Sequence, residues 1–240
     1  MSTEITTAFV QQFSSNVQLL SQQMGSLLRG SVSEESVTGE KAFFDQVGQA
    51  AAVKRTSRHS DTPIVDTPHS RRMVTMDSYE WADLVDDADK VRLLIDPTSA
   101  YARTAAAAIG RAMDDAIISA ATGTAKTGKS GSTSTTLPSA QQIAHGSTDL
   151  TIEKLIEAKQ KLDVNSVDPS IPRYIVVSPF QIQRLLNETA VTSSDFNTVK
   201  ALVRGEVDTF MGFKFIVSNR LAKSGNNRTC FAFAEDGLKL

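Results

Sequence analysis

The sequence holds one cysteine, one tryptophan and three histidines in 240 residues. A single cysteine closes no internal disulfide, and a reducing compartment at synthesis is the simple expectation. Cys230 lies in Thr229-Cys-Phe-Ala-Phe-Ala234 with no basic neighbour to lower its pKa, so it reads as a core thiol and not a nucleophile. No apolar run approaches the ~18 residues of a membrane span, and the Gln- and Ser-rich N-terminus lacks a basic-then-apolar signal pattern. A soluble chain with no membrane partner and no export signal is expected. Charge of one sign is not in surplus either: 25 Lys and Arg stand against 27 Asp and Glu, for a formal net charge of −2. That removes the usual basis for nucleic-acid binding through counterion release.

Catalytic and metal-binding patterns are equally scarce. His59, Asp61, Asp66 and His69 have no zinc or calcium spacing, and His145 stands alone. No strand–turn–helix elbow presents a nucleophilic serine, and Trp81 does not interleave with basic residues as a base-stacking platform would. No catalytic residue, cofactor or metal is expected. One stretch, Gly123-Thr-Ala-Lys-Thr-Gly128-Lys129-Ser130, fits the phosphate-cradling pattern G-x-x-x-x-G-K-[ST]. A phosphate loop follows a buried strand and opens a helix. Here a long helix precedes the stretch and Gly-Ser-Thr-Ser-Thr-Thr follows it, so nucleotide binding stands only as an alternative.

What the chain does have is a long helical stretch, Asp96 to Ala121. Asp96 is a good N-cap, Pro97 suits the first helical position, and Thr122-Gly123 supplies a stop. Tyr101, Ala105, Ala108, Ile109, Ala112, Met113, Ala116, Ile117 and Ala120 recur at helical spacing as one apolar stripe, with Arg103, Arg111, Asp114 and Asp115 predicted to fall away from it. About 25 residues at 1.5 Å each give a rod of about 38 Å, which reads as a spine.

Before the spine, Val10, Phe13, Val17, Leu20, Met24 and Leu27 form a heptad-like seam, predicting an amphipathic helix over Ala8–Arg29 that docks on a partner chain or folds back on its own core. A charge reversal follows. Lys54–Arg72 holds five basic and two acidic residues; Asp77–Asp96 holds seven acidic and two basic. Pro63 and Pro68 suit edges and turns. The pattern predicts a two-armed loop, one arm basic and one acidic, whose arms pair with each other or with a neighbouring chain and set register more than stability. Arg55, Arg58, Arg71, Arg72, Asp83, Asp86, Asp87 and Asp89, with Phe13, Val17 and Leu20 from the seam, are the candidate inter-subunit contacts.

After the spine, the Gly-, Ser- and Thr-rich segment Thr122–Ser139 reads as a flexible loop. A second half opens at about Asp149 with an amphipathic helix on Ile152, Leu155, Ile156 and Leu162, carrying a Glu157–Lys161 pair. A buried strand is predicted at Arg173–Ser178, and Ser178-Pro179-Phe180-Gln181 reads as a capping box opening a helix to about Glu188. Strands are predicted at Gly212–Ser218 and Thr229–Ala234, separated by a Lys-Ser-Gly-Asn-Asn turn. Helices alternating with strands predict a mixed sheet with helices packed on it, in an α+β fold.

An arm, a long loop, a spine and a compact α+β half are what a shell subunit needs, and four stretches resemble the major capsid proteins of tailed bacteriophages with the HK97-type fold. They are Leu28-Arg-Gly30-Ser-Val32; His69-Ser-Arg71-Arg72 with Tyr79-Glu-Trp81-Ala-Asp83 and Asp86-Asp-Ala-Asp89; the spine with Asp96-Pro97, Ala108-Ile-Gly-Arg111 and Asp114-Asp115; and Gly212-Phe-Lys-Phe-Ile-Val-Ser218-Asn219-Arg-Leu221. The resemblance implies an N-terminal arm over 1–53, an extended E-loop over 54–95 that lies on an adjacent subunit, a P-domain with the spine and Gly/Ser/Thr loop over 96–148, and an A-domain over 149–240. It also implies a structural protein that assembles through hexamers and pentamers into an icosahedral shell around double-stranded DNA, made in the host cytoplasm, resident in the virion and working with a portal and a separate scaffolding protein. In the family a strand returns to the P-domain after the A-domain, so a C-terminal strand is expected to be absent or truncated here. A nanocompartment shell of the encapsulin type, which packages protein cargo, is the alternative within the same fold.

Overall fold

The computed structural model describes residues 21–58, 61–83, 98–187 and 209–240. Asp86, Asp87, Asp89, Phe13, Val17 and Leu20, and the expected cap Asp96-Pro97, lie outside them. One compact unit takes in Tyr79–Met113 with the chain up to Ser26; the other takes in Leu27–Ser78 and Asp114–Leu240. Among the described residues, no helix is long and apolar enough to cross a membrane.

The second unit holds two four-stranded sheets. In the first, β1 (Lys41–Val47), β2 (His69–Thr75), β3 (Ala125–Thr127) and β4 (Thr133–Thr135) run antiparallel in that order. In the second, β5 (Arg173–Val177) lies between β7 (Phe213–Val217), to which it is parallel, and β10 (Phe231–Ala234), to which it is antiparallel; β6 (Thr209–Phe210) closes the far edge against β7. Within this sheet β7 and β10 are the last two strands in the chain, yet they do not pair. The link between them carries its own hairpin, β8 (Lys223–Ser224) and β9 (Asn227–Arg228), turning at Gly225. That leaves the chain room to cross β5. Met211 and Gly212, both with positive φ, make the two-residue turn from β6 to β7.

Helices α2 (Ile152–Val164) and α3 (Pro179–Asn187) belong to this half. Thr151 caps α2 by accepting from the Lys154 N–H, and Glu157 pairs with Lys161 at 3.3 Å. At α3 the Gln181 side chain accepts the Ser178 N–H at 2.8 Å, one half of the expected capping box; the Ser178 hydroxyl does not complete it. Ile152, Leu155, Ile175, Val177, Leu185, Phe210 and Phe213 form one core, and Leu28, Val32, Ile117, Ile118, Val176, Leu221 and Phe233 a second. Ile156, expected on the apolar face of α2, is exposed.

Helix α1 (Thr98–Thr122) is the spine. It stops where expected: a Cβ on Gly123 would lie 2.5 Å from the Ser119 carbonyl oxygen. Its buried face differs from the apolar stripe. Ala107, Gly110, Asp114, Ile117 and Ile118 are buried, while Tyr101, Ile109 and Ala120 are exposed. The helix is turned so that small and acidic positions face inward, and the reason lies in what packs on them.

Within the first unit, the backbone of Gly25 and Ser26 lies against Gly110, where a Cβ would sit 2.5 Å from the Gly25 carbonyl carbon. Arg111 donates to the Gln22 side chain at 3.0 Å and to the Gln23 carbonyl at 3.2 Å. Within the second unit, the Asp114 carboxylate accepts the Leu27 and Leu28 N–H groups at 3.1 Å, and Asp115 takes a bidentate contact from Arg220. Residues 21–28 are consequently not helical, contrary to the seam's prediction for its C-terminal part; only Arg29–Ser31 makes a single 3-10 turn. The N–H groups that a helix would use internally are spent on Asp114.

Candidate assembly surfaces

Of the two arms predicted from the charge reversal, the described residues include most of the basic stretch but only the start of the acidic one, to Asp83. β2 carries the end of the basic stretch, but its partner is β1, upstream of the expected loop start at residue 54. Asp45 stands opposite Arg71 in that register, and the guanidinium grips the carboxylate with two hydrogen bonds, at 2.5 and 2.8 Å. Arg71 also lies 5.6 Å over the Phe43 ring. The hydrogen bonds from Arg71 hold the Asp45 carboxyl below its ordinary pKa. Arg71 therefore pins the register of its own hairpin.

Arg72, half-buried, stands between Phe44 on β1 and Thr127 on β3. Arg55 donates to the Arg58 carbonyl at 2.8 Å, turning back onto its own loop, and Arg58 is exposed. Asp83 is exposed too. Between β1 and β2 the described residues of 48–68 are all exposed, Ile64 at 97% and Val53 and Val65 with it. Gly48 donates to the Pro68 carbonyl at 2.7 Å and so closes the base of this long tip.

The segment read as a flexible loop after the spine forms β3 and β4, which extend the hairpin into a sheet. Gly128 and Gly131 make the turn with positive φ, and a Cβ on Gly131 would meet the Met73 side chain. Lys129 and Ser130 thus sit on a turn between two strands. With no helix to open behind them, they cannot build a phosphate cradle, and the nucleotide-binding alternative fails on this geometry.

The base of the hairpin is tied to the end of the described chain. Ser33 and Lys239 form a parallel bridge, with Ser33 N–H to Leu238 O at 3.2 Å and Leu240 N–H to Ser33 O at 2.9 Å. Lys239 pairs with Glu35 and lies 5.0 Å from the Phe44 ring centre. Asp114, Gly110 and this bridge were missed by reading apolar periodicity. The available signal was Ala107, Gly110 and Asp114 at helical spacing, two small residues followed by an acceptor.

The fold is that of HK97-type phage capsids. The chain superposes on the capsid structure of cyanophage P-SCSP1u with a TM-score of 0.67 at 20% identity, covering 98% of this chain and 80% of that one. The Mycobacterium phage Che8 structure gives 0.64 at 18% identity over 95% and 81%, and the capsid of Ralstonia phage GP4 gives 0.65 at 10% over 88% and 73%. No curated protein matches. The family model described as phage capsid protein matches residues 5–240. The chain belongs to the phage capsid protein family.

Proposed function

We propose that copies of this chain assemble through hexamers and pentamers into an icosahedral shell enclosing double-stranded DNA, as a structural protein with no chemistry of its own. The observation that carries the reading is a hairpin tip with no core beneath it in a chain that matches a capsid family from residue 5 to 240. Leaving a large apolar side chain in water forfeits about 1.5–3 kcal/mol of burial. A tip bearing exposed Ile64, Val65 and Val53 gains that back only against another surface.

In this reading the hairpin from Lys41 to Thr75 is the E-loop, lying on an adjacent subunit. The chain before it is the N-terminal arm, α1 is the spine of the P-domain, and the half from about Asp149 is the A-domain near the symmetry axes. A portal and a separate scaffolding protein would act with it, and assembly would take place in the host cytoplasm before the shell becomes part of the virion. A net charge of −2 suits an inner wall past which a duplex must slide.

Negative-stain electron microscopy and sedimentation of the purified chain test the reading. Closed particles of uniform diameter, or hexamers and pentamers, are expected. A chain that stays monomeric at every concentration reached would overturn it, and particles from infected cells filled with protein cargo instead of DNA would redirect it to a nanocompartment.

A further inference from the structure

A groove lies in the C-terminal half, between the starts of α2 and α3 and the β8–β9 hairpin, with a volume of about 930 Å3. Leu155, Ile175 and Phe231 give it apolar lining, and Phe180, half-exposed, stands at its edge. Its charged residues are Lys154, Arg184, Lys223 and Arg228 against the single carboxylate of Asp149. Among the described residues two of these cations are engaged by neutral groups: Lys154 donates to the carbonyls of His145, Thr148 and Asp149, each at 2.8 Å, and Arg228 to those of Asn219 and Leu221. Among the described residues neither forms an ion pair, so these bonds hold the charge in place. Arg184 shares Asp149 at 3.3 Å and stacks 4.8 Å over Phe180, and Lys223 is exposed. The Ser178 hydroxyl, which also lines the groove, is buried without a hydrogen-bond partner. A chain with a slight negative surplus thus concentrates four cations around an apolar floor.

The complement is in the same sequence. Asp77–Asp89 carries six carboxylates (Asp77, Glu80, Asp83, Asp86, Asp87 and Asp89), no basic residue, and four apolar side chains in Tyr79, Trp81, Leu84 and Val85. Tyr79 and Trp81 are exposed on their own chain. We propose that the groove receives the acidic segment Asp77–Asp89 of a second copy. Carboxylates would meet the cationic rim and set register, while an aromatic or aliphatic side chain would settle on the Leu155 and Ile175 floor as the anchor. The inference rests on the reading that copies of this chain assemble.

The test uses a fluorescein-labelled peptide of residues 76–90 and the full chain kept dispersed at low concentration, followed by fluorescence anisotropy. Saturable binding is expected, weakened about tenfold or more by Lys223→Glu in the chain, by replacing the peptide's Asp and Glu with Asn and Gln, and by high salt. The amide peptide needs no variant of the chain to fold, so it keeps the test clean if Lys223→Glu is unstable. Absence of saturable binding, or an affinity indifferent to the peptide's carboxylates, overturns the proposal. So does a duplex oligonucleotide that binds more tightly than the peptide and loses that affinity in Lys223→Glu. Peptide binding is read on dispersed subunits, so its failure leaves shell formation standing, and a chain that binds peptide but never forms shells speaks only against the assembly reading.

Discussion

Two sheets of four strands each occupy the second unit, and they differ in what lies beneath them. In the sheet built on β5, four of the five β5 residues are buried and Phe213 on β7 is fully enclosed. In the sheet built on β1 and β2, no residue of the four strands is buried. A small sheet in water needs a hydrophobic face packed on something to be stable. The first sheet has that face within the chain. The second holds together by the Asp45–Arg71 pin, the Arg71–Phe43 and Lys239–Phe44 contacts, and the close approach of Gly131 to Met73. On the proposed reading the difference separates folding from assembly: one sheet is finished when the chain folds, the other when a neighbour arrives.

Removing core from the finished sheet should give the largest effect on the subunit. Phe213→Ala deletes a ring with no exposure and is expected to cost about 3–5 kcal/mol in urea melts. A loss below about 1 kcal/mol would mean that this sheet, too, depends on partners. Next comes the anchor of the arm. Asp114 is fully buried, and Asp114→Ala leaves the Leu27 and Leu28 N–H groups without their acceptor, for an expected loss of about 2–4 kcal/mol. Asp114→Asn keeps one carbonyl acceptor and should recover part of it. Amide hydrogen exchange at Leu27 and Leu28 should quicken in the alanine variant before exchange in β5 does, which distinguishes a released arm from a weakened core.

The finished sheet was the legible one. Short runs rich in apolar residues at Arg173–Val177 and Phe213–Val217, the Glu157–Lys161 spacing and the Ser178–Gln181 signal are all local, and local patterns survive into the fold because the core they imply is in the same stretch of chain. The coreless sheet left weaker marks. Ala125–Thr135 reads as a loop by composition, yet Thr127, Thr133 and Thr135 are good strand residues and Gly128 and Gly131 supply a turn. Arg71 was expected as an inter-subunit contact, and its partner within the chain was not legible, since Asp45 becomes its neighbour only through a register 26 residues apart. Asp114 was misread for a similar reason. Apolar periodicity finds a helix face that packs on side chains, and this face packs on backbone, which selects small residues and an acceptor.

A smaller effect should separate the sheets by pH. Burial pushes the Cys230 thiol up to about 11 from 9.0. The folded chain therefore keeps this proton after the unfolded chain has lost it. Stability from this group is complete below about pH 9 and falls as pH rises towards about 11, by at most about 1.4 kcal/mol per pH unit and roughly 2–3 kcal/mol in all. Urea melts of wild type and Cys230→Ala across that range should converge as pH rises, by about that amount, if the thiol is as enclosed as its core suggests. Parallel curves would show that the β10 edge opens to water.

The smallest expected effect on the subunit is the most informative about the other sheet. Ile64 is 97% exposed on the hairpin tip, so Ile64→Ser removes no packing from the isolated chain and should shift its melt by no more than about 0.5 kcal/mol. If the tip exists to lie on a neighbour, the same substitution replaces an apolar contact with a hydroxyl in every copy of the shell. The yield of closed particles should fall while the melting curve of dispersed subunits stays where it was. Arg71→Glu makes a useful contrast: it sets two carboxylates opposite each other at the hairpin register, so it should loosen the hairpin itself and expose β1 and β2 to faster amide exchange before assembly is asked of it. Ile64→Ser should leave that exchange unchanged. A serine variant that assembles with wild-type yield and particle stability would show that the tip is not buried by a neighbour, and the unfinished sheet would then need another explanation.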